Sequence, residues 1–345
     1  MKLFVTGGCG FIGSNFIRFW LRQHPADAVV NLDALTYAGN RANLSDVEGD
    51  SRYRFVHGDV TDPSAVESAM KGCETVVHCA AETHVDRSIT HASAFLRTNV
   101  EGTGVILECA RRQNVQRVLH VSTDEIYGSA GPTGAFAESD PFQPTSPYSA
   151  SKAAADLLAQ SYVHTYRLPV VIARPSNNFG PYQFPEKFMP LFITNALEDQ
   201  PVPVYGDGQQ RRNWLFVEDT CRAFETLLQR GVAGNAYNIA TPWELPNLDV
   251  ARTILKLTEK PERLLMFVQD RPGHDRRYAL RWEKIQALGW QPTVDFQEAL
   301  AATVEWYRQH RSWWNPLRER LRDDPYHWLN RPAGSSAPQA ASVLR

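Results

Sequence analysis

Two adjacent acidic residues, Asp124 and Glu125, stand in the stretch VSTDEIYG, directly after an apolar run. Neighbouring carboxylates repel each other, so in a dry site one of them keeps its proton at neutral pH. One group could then donate a proton while the other accepts one. The stretch therefore predicts a general acid and a general base, beside the hydroxyls of Ser122 and Thr123.

Tyr148 and Lys152 stand four residues apart in SPYSASKAAADLL, a spacing that places both on one face of a helix. A phenol has a pKa near ~10, and a nearby cation can lower it by ~1–3 units. Tyr148 could then exchange a hydroxyl proton while a hydride passes to a nicotinamide. Alone, such a pair is more often a surface contact, but after a dinucleotide motif it predicts a redox pair.

That dinucleotide motif is FVTGGCGFIGSNF, in which Gly7, Gly10 and Gly13 follow a predicted strand and open a predicted helix. Glycines let the backbone approach a pyrophosphate, whose charge sits on free N–H groups at the positive helix end. Asp33 ends the second strand, where a carboxylate can accept from a ribose 2′-hydroxyl and would repel a 2′-phosphate. Ala34 follows it instead of Arg, so the sequence favours NAD over NADP.

Asp59, in the turn GDV after the third strand, could reach the adenine of the same cofactor. The alternative for the whole motif is a simple helix-start turn followed by a solvated acid, but the sheet pattern around it agrees with the cofactor interpretation. The predicted cofactor residues are Gly7, Gly10, Phe11, Ile12, Gly13, Asp33, Asp59, Val60, Tyr148 and Lys152.

The elements that must position these groups alternate along the first half of the chain. The runs KLFVTGG, AVVNLD, YRFVHGDV, ETVVHCAA, QRVLHVST and LPVVIARP read as strands, separated by helix-period segments. Nearly continuous apolar strands predict an α/β fold with a doubly wound parallel sheet of Rossmann type. We expect an NAD-binding domain over 1–175 with a return segment around 213–240, an interleaved substrate-binding lobe over 176–330, and a disordered tail over 331–345.

The overall composition limits the partners of the chain. With 36 Lys and Arg against 38 Asp and Glu, nothing favours nucleic acid or an anionic membrane as a partner. No apolar run approaches the ~18 residues that span a bilayer, and no signal peptide is visible, so we expect a cytoplasmic protein. The five cysteines are scattered and lack metal-ligand spacing, so we expect reduced thiols and no metal site.

With these motifs in place, the sequence resembles the extended short-chain dehydrogenase/reductases and, within them, the dTDP-glucose 4,6-dehydratases, which make dTDP-4-keto-6-deoxyglucose from dTDP-glucose. The resemblance runs from Met1 to about Asn315. It rests on TGGCGFIGSNF, NLDALTYAGN, CAAETHVDRSI, STDEIYG, YSASKAAAD, RPSNNFGPYQFPEKFMP, PVPVYGDG and DRPGHDRRYAL. The last four motifs together are highly specific.

In similar enzymes C4 of the glucose ring is oxidised first, which makes the C5 proton acidic, and water then leaves across C5 and C6. The resemblance implies Glu125 as the general base, Asp124 as the protonated general acid, and Thr123 at the C4 oxygen near Tyr148. It also implies that NAD stays bound through the cycle. Consecutive strand residues point to opposite faces, so both acids can line one pocket only if the chain leaves β geometry after Thr123. The alternative, with one acid at the surface, would leave an oxidoreductase or an epimerase.

The resemblance also implies a nucleotide-sugar site. Arg212 and Arg271 look like diphosphate ligands, with Asn177 beside them, although a solvated charge run is the alternative for RPGHDRRY. The other residues that match such a site are Thr83, Lys187, Phe188, Pro203, Tyr205, Asn247, His274 and Tyr278. Arg87 could contact the base or hold a partner loop. Relatives usually have an acid at position 213, and Asn213 in RRNW weakens the choice of Arg212 over Arg211.

The helices over 92–112 and 151–167 carry an Ala- and Leu-rich stripe, which in similar proteins packs across a two-fold axis. We therefore expect a homodimer, the alternative being helices packed only on their own sheet. A nucleotide-sugar 4-epimerase or decarboxylase of the same fold remains the rival enzyme, and a dinucleotide sensor without catalysis is the rival from another class. A thymidine and a uridine diphosphate sugar both remain open as substrates, because one methyl group is worth only ~1–3 kcal/mol in a pocket.

Overall fold

The computed structural model describes residues 1–321 of the 345-residue chain. The strands of this part are β1 (Lys2–Thr6), β2 (Ala28–Asp33), β3 (Tyr53–His57), β4 (Thr75–His78), β5 (Arg117–Val121), β6 (Val170–Pro175), β7 (Asn177–Phe179), β8 (Val202–Tyr205), β9 (Arg211–Phe216), β10 (Ala236–Ile239), β11 (Glu244–Pro246) and β12 (Leu265–Val268).

The α-helices of the same part are α1 (Phe11–Gln23), α2 (Pro63–Met70), α3 (Val85–Thr90), α4 (Ala92–Phe95), α5 (Gly102–Arg112), α6 (Pro147–Tyr166), α7 (Phe188–Leu197), α8 (Val217–Arg230), α9 (Asn247–Leu257), α10 (Glu283–Gln286), α11 (Phe296–Gln309) and α12 (Arg311–Leu321). A π-helical stretch, Leu96–Glu101, joins α4 to α5, and single 3-10 turns span Arg41–Leu44, Asp124–Tyr127 and Glu262–Leu264.

Seven strands form one sheet in the order β10-β6-β5-β4-β1-β2-β3, and every pairing in it is parallel. The strand order reverses between β1 and β4, and in open α/β sheets ligands bind outside the carboxyl ends of the strands at such a point. The predicted doubly wound, Rossmann-type sheet is confirmed.

Side chains of the strands alternate between two buried faces. Leu3 and Val5 of β1 pack with Phe16 of α1 and Phe224 of α8 on one face. Phe4 lies in the core of the opposite face, which α2, α5 and α6 cover. Burial on both sides explains why these strands read as continuous apolar runs rather than alternating ones.

A smaller lobe follows β6 and has its own core. It contains the sheets β11-β9-β7 and β12-β8, and its helices surround a cluster that includes Phe179, Phe192, Trp214 and Phe296. Within the predicted return segment, β10 pairs with β6, and α8 packs on α1 through Phe224, whereas residues 213–216 belong to β9 of the lobe. The two parts of the chain are therefore interleaved.

No helix within residues 1–321 has both the length and the apolar character needed to cross a membrane. The predicted disordered tail, 331–345, and the end of the predicted lobe, 322–330, lie outside the described residues.

Candidate active site

Two adjoining cavities lie at the carboxyl ends of the parallel strands. The first, here the glycine-loop cavity, measures about 300 Å³ and is bounded by the turn after β1 and by segments that follow β2, β4, β5 and β6. The second, the lobe cavity, measures about 450 Å³ and is bounded by α3, β8 and the segment after β12. Six residues line both cavities: Thr83, Glu125, Asn177, Asn178, Gln183 and Lys187.

Close backbone packing explains two of the glycines in the turn after β1. Gly7 has a φ of +68°, and a Cβ there would lie 2.7 Å from the backbone of Ala80. A Cβ on Gly13 would lie 2.3 Å from the carbonyl oxygen of Gly7. Helix α1 begins without a side-chain cap at Gly10, so its first N–H groups are available to an anion in the cavity.

Asp33 forms another part of the wall of the glycine-loop cavity. Its carboxylate accepts hydrogen bonds from the backbone N–H groups of Cys9 and Leu35, both at 2.8 Å, which fixes it beside the glycine turn. Burial raises the pKa of Asp33. The amide of Asn31 accepts from the N–H of Gly8 at 3.0 Å and also holds the turn in place. The sequence analysis missed Asn31 because it lies in the middle of a strand.

Nine of the ten predicted cofactor residues line the glycine-loop cavity: Gly7, Gly10, Phe11, Ile12, Gly13, Asp33, Asp59, Val60 and Tyr148. Lys152 does not line it. Its ammonium group is buried and donates to the carbonyl oxygen of Val121 at 2.6 Å. The wall further includes residues to which the sequence motifs assigned no role, among them Thr36, Ala81, Thr98 and Phe184.

The two adjacent acids lie on a 3-10 turn that begins directly after Thr123. Thr123 itself is extended, with φ −156° and ψ 159°, and its hydroxyl accepts from the N–H of Glu125 at 3.3 Å. The chain therefore leaves β geometry directly after Thr123, which is what both acids require in order to face one site. Asp124 lines the glycine-loop cavity, and Glu125 lines both cavities.

The surroundings of the two acids assign the proton to Asp124. Burial, and then the charge of Glu125, raise the pKa of Asp124 to about 8. One oxygen of Asp124, Oδ2, is buried without a hydrogen-bond partner among the described residues, as suits a carboxylic acid that awaits an acceptor. Burial also raises the pKa of Glu125, but Arg271, Arg212 and Lys187 oppose that rise. These three cations favour the ionised form of Glu125.

The environment of Tyr148 corrects one expectation. The sequence predicts that Lys152 lowers the pKa of Tyr148, whereas burial, and then the charge of Glu125, raise it well above its ordinary value. A hydrogen bond with Thr123 opposes this rise, and Lys152 does not contribute. The reason is that Lys152 is itself desolvated, which lowers its own pKa to about 8, and that it is bound to a strand carbonyl.

The lobe cavity brings together all eleven predicted substrate residues: Thr83, Asn177, Lys187, Phe188, Pro203, Tyr205, Arg212, Asn247, Arg271, His274 and Tyr278. Lys187 lies where the two cavities meet, and its ammonium group donates to the carbonyl oxygen of Thr83 at 2.7 Å. The hydroxyl of Tyr278 donates to Asp275 at 2.8 Å and lies 3.4 Å from Glu125. Tyr278 thus lies beside the acid–base pair.

The structure distinguishes the two neighbouring arginines. Arg211 is exposed and pairs with Glu244 at 2.7 Å. Arg212 is buried in the cavity wall and donates to the carbonyl oxygens of Arg211 and Asp275, at 2.8 and 2.9 Å. Within residues 1–321 Arg212 forms no ion pair, so its charge is available to an anion in the lobe cavity.

Asn213, where the resemblance led us to expect an acid, has a local structural role. Its carbonyl oxygen accepts from the N–H of Thr241 at 2.8 Å and from the hydroxyl of Ser176 at 3.0 Å, while its NH₂ group donates to the carbonyl oxygen of Thr241. An ionised acid would lack that donor.

Asp86 is a site residue that the sequence analysis missed, although it lies in the quoted motif HVDRSI. It lines the lobe cavity, accepts from the hydroxyl of Tyr205 at 3.0 Å and pairs with Arg271 at 3.3 Å. Its neighbour Arg87 lines neither cavity. Instead, Arg87 pairs with Glu186 at 3.2 Å and lies 4.0 Å above the ring of Tyr37.

The described residues hold no group of three or more His, Cys, Asp or Glu side chains arranged to bind a metal ion. All five cysteines have free thiols.

Comparisons with known proteins agree with this site. A family model described as GDP-mannose 4,6 dehydratase matches residues 4–303. A dTDP-glucose 4,6-dehydratase of Streptomyces niveus is 50% identical over 323 residues, covering 92% of this chain and 96% of that protein. One from an Actinoplanes species is 48% identical over 320 residues, covering 91% and 100%.

Solved structures lead to the same family. The dTDP-glucose 4,6-dehydratase DesIV of Streptomyces venezuelae, with NAD and TYD bound, superposes with a TM-score of 0.90 at 50% identity, covering 92% of this chain and 100% of that one. The UDP-glucose 4-epimerase of Thermus thermophilus, in complex with NAD, reaches 0.83 at 31% identity, covering 90% and 100%. By its sequence relatives and its fold, the chain belongs to the dTDP-glucose 4,6-dehydratase family.

Proposed function

We propose that the protein converts dTDP-glucose into dTDP-4-keto-6-deoxyglucose with a bound NAD. The observation that carries this proposal is the placement of Asp124 and Glu125, both on one 3-10 turn and both in the wall of the site beside Tyr148. A 4-epimerase of the same fold needs the tyrosine and lysine but has no use for this acid–base pair. The 50% identity to dTDP-glucose 4,6-dehydratases supports the choice of substrate.

The glycine-loop cavity fits NAD. A Cβ on Gly7 or Gly13 would collide with neighbouring backbone, so these positions favour a turn that a pyrophosphate can approach. Asp33 supplies a carboxylate for a ribose hydroxyl. A bound NAD would supply the hydride chemistry, from C4 of the sugar in the oxidation and back to C6 after the loss of water.

The residues of the chain then carry the protons. Tyr148 would take the proton of the C4 hydroxyl, because the positive charge of a bound nicotinamide opposes the raised pKa of its phenol, and Thr123 is hydrogen-bonded beside it. Glu125 takes the C5 proton, which the new ketone has made acidic, and Asp124 gives its proton to the C6 hydroxyl, which leaves as water. Glu125, after exchange with solvent, returns a proton to C5 when the hydride adds to C6. Lys152, fixed on the carbonyl oxygen of Val121, supplies positive charge behind the site.

The lobe cavity would hold the nucleotide. Arg212 and Arg271 provide guanidinium groups for the diphosphate, and Asn177 lies beside them. Phe188 and Pro203 give apolar surface for the base. The remaining polar contacts would come from Thr83, Lys187, Tyr205, Asn247, His274 and Tyr278.

Incubation of the purified protein with dTDP-glucose tests the proposal. We expect a product lighter than the substrate by one water molecule, detected by mass spectrometry. A product of unchanged mass would instead identify an epimerase. Recovery of unaltered dTDP-glucose from an enzyme that contains NAD would favour a dinucleotide sensor, which the intact Tyr148 and Lys152 make the less favoured alternative.

We also propose that the sheet domain binds NAD in the glycine-loop cavity and that the smaller lobe binds the substrate in the lobe cavity. We further propose that the protein works in the cytoplasm. Five free thiols, four of them buried, suit a reducing compartment.

The proposed homodimer makes a separate prediction. Leu96 and Leu157 are each 55% exposed on the helices expected at the interface. Light scattering after size-exclusion chromatography should give twice the chain mass of 38.9 kDa for the wild type. Leu157→Glu should shift it to the monomer, because burying an unpaired carboxylate is unfavourable. Val232→Glu, at an exposed apolar residue beyond α8, is the matched control, and a monomeric wild type would contradict the proposal.

A further inference from the structure

The 3-10 turn that carries Asp124 and Glu125 is a single turn of four residues. The N–H of Gly128 donates to the carbonyl oxygen of Glu125 at 3.3 Å, and the N–H of Glu125 donates to Thr123, also at 3.3 Å. Both bonds are long, and a single 3-10 turn is too short to be stable alone. Contacts from outside the turn must therefore set its shape.

The last residue of the turn, Tyr127, is completely buried and supplies those contacts through its ring. The ring stacks on Phe136, with centroids 5.2 Å apart and an interplanar angle of 13°. The ring of Phe142 meets it edge-on, with centroids 5.9 Å apart. Aromatic pairs of this kind stabilise beyond their buried area.

The hydroxyl of Tyr127 is bonded on both sides. It accepts from Nη1 of Arg174 at 2.6 Å and donates to Oδ1 of Asn238 at 2.9 Å. Arg174 is buried and is itself fixed by two bonds to Asp156, at 2.9 and 3.0 Å. Three elements of the sheet domain, β6, β10 and α6, thus converge on one phenol.

Asn238 extends this arrangement toward the lobe. Its NH₂ group donates to the carbonyl oxygens of Phe136 and Arg281, both at 3.0 Å. Arg281 follows Tyr278 by three residues, and the hydroxyl of Tyr278 lies 3.4 Å from Glu125. The same amide therefore links the turn to the segment that contacts its glutamate.

We propose that Tyr127 is a positioning residue for the elimination step, because its hydroxyl fixes the turn that aims both carboxyl groups at the sugar. This inference rests on the proposed function. Tyr127 touches neither cavity and acts through Asp124 and Glu125. Tyr148 lies on α6 and not on the turn, and the Arg174–Asp156 pair that reaches α6 does not need the phenol, so the oxidation at C4 depends less on this anchor than the loss of water does.

Tyr127→Phe tests the proposal, because it keeps the ring and removes only the hydroxyl. A misplacement of about 1 Å can cost ~10²-fold in rate, so we expect kcat for water loss to fall by ~10-fold or more. KM and the NAD content should stay unchanged. Reduced nicotinamide, read by its near-ultraviolet absorbance during turnover, should accumulate because oxidation continues.

Tyr237→Phe is the matched control, since Tyr237 is a buried tyrosine on β10 next to Asn238 that accepts one hydrogen bond, from Val232 at 3.0 Å. If Tyr127→Phe lowers only the melting temperature, as we expect of the control, the proposal is overturned. Asn238→Ala removes the acceptor from the other side and should also raise the fraction of reduced nicotinamide. If Tyr127→Phe does not fold, Asn238→Ala is the variant that tests the proposal.

The two proposals can fail separately. A wild-type enzyme that releases no water from dTDP-glucose would contradict the proposed function. Wild-type dehydration with an unchanged rate and unchanged reduced nicotinamide in Tyr127→Phe would contradict the anchor alone. A crystal structure of that variant judges the anchor without any substrate, because Asp124 and Glu125 in unchanged positions would overturn it.

Discussion

Replacing Glu125 with Gln should abolish the incorporation of solvent deuterium at C5 of the product and lower kcat by ~10²–10⁴-fold, the usual contribution of a general base. Glutamine keeps the shape of the side chain but cannot accept the C5 proton. Arg271, Arg212 and Lys187 favour the ionised form of Glu125, and no other carboxylate lines both cavities within residues 1–321. Mass spectrometry of the product formed in heavy water measures both effects.

The control for this prediction is Glu225→Gln. Glu225 of α8 pairs with His24, at the end of α1, at 2.7 Å and lines neither cavity, so its variant should incorporate deuterium as the wild type does. Wild-type levels of deuterium at C5 in Glu125→Gln would show that another group removes the proton. C4 oxidation should survive in Glu125→Gln, because Tyr148 and Thr123 are unchanged.

The sheet and the glycine turn could be predicted because their signals are local. Apolar strands of five or six residues, and glycines at fixed spacing after the first of them, depend on the chain's own periodicity and on backbone sterics. The strand order and the β10 return depend on packing between distant segments. The helix predicted over 92–112 forms in three pieces, with a π-helical stretch in the middle that no sequence pattern indicated.

The site was harder to predict where it depends on contacts between distant residues. Nothing near Asp86 in the sequence shows that it pairs with Arg271, which lies 185 positions later. The expected effect of Lys152 on Tyr148 was wrong because helical spacing fixes a shared face but not where an ammonium group finds its acceptor. From the sequence, the turn at Asp124 could be stated only as a requirement, namely that the chain must leave β geometry if both acids are to line one pocket. Tertiary contacts of Tyr127 shape the turn itself.

Asp124→Asn should slow the loss of water by ~10²–10⁴-fold while leaving C4 oxidation in place, so that reduced nicotinamide accumulates. The amide can donate a hydrogen bond to the C6 hydroxyl, but it cannot transfer a proton to it. Rapid-mixing absorbance of the nicotinamide, together with the mass of the sugar product, separates the two steps. Full dehydration without any build-up of reduced nicotinamide would count against Asp124 as the acid.

The pH dependence of water loss in the wild type and in Asp124→Asn also tests Asp124 as the acid. Asp124 acts as an acid only while protonated, and its pKa is about 8, so the wild-type rate of water loss should fall as the pH rises through that value. Asparagine does not titrate, and the slow variant should lose this alkaline limb.

The pH dependence of the stability of the fold gives a second test of whether Asp124 holds the proton. The folded pKa of Asp124 is raised to about 8 from 3.8, so the protonated carboxyl stabilises the fold fully below pH 3.8, and this contribution is lost as the pH rises through about 8. The wild type should therefore lose stability relative to Asp124→Asn between these pH values, by on the order of a few kcal/mol. Melting temperatures of both proteins at pH 5 and pH 8 measure the difference, and a gap that does not widen at pH 8 would place the proton elsewhere.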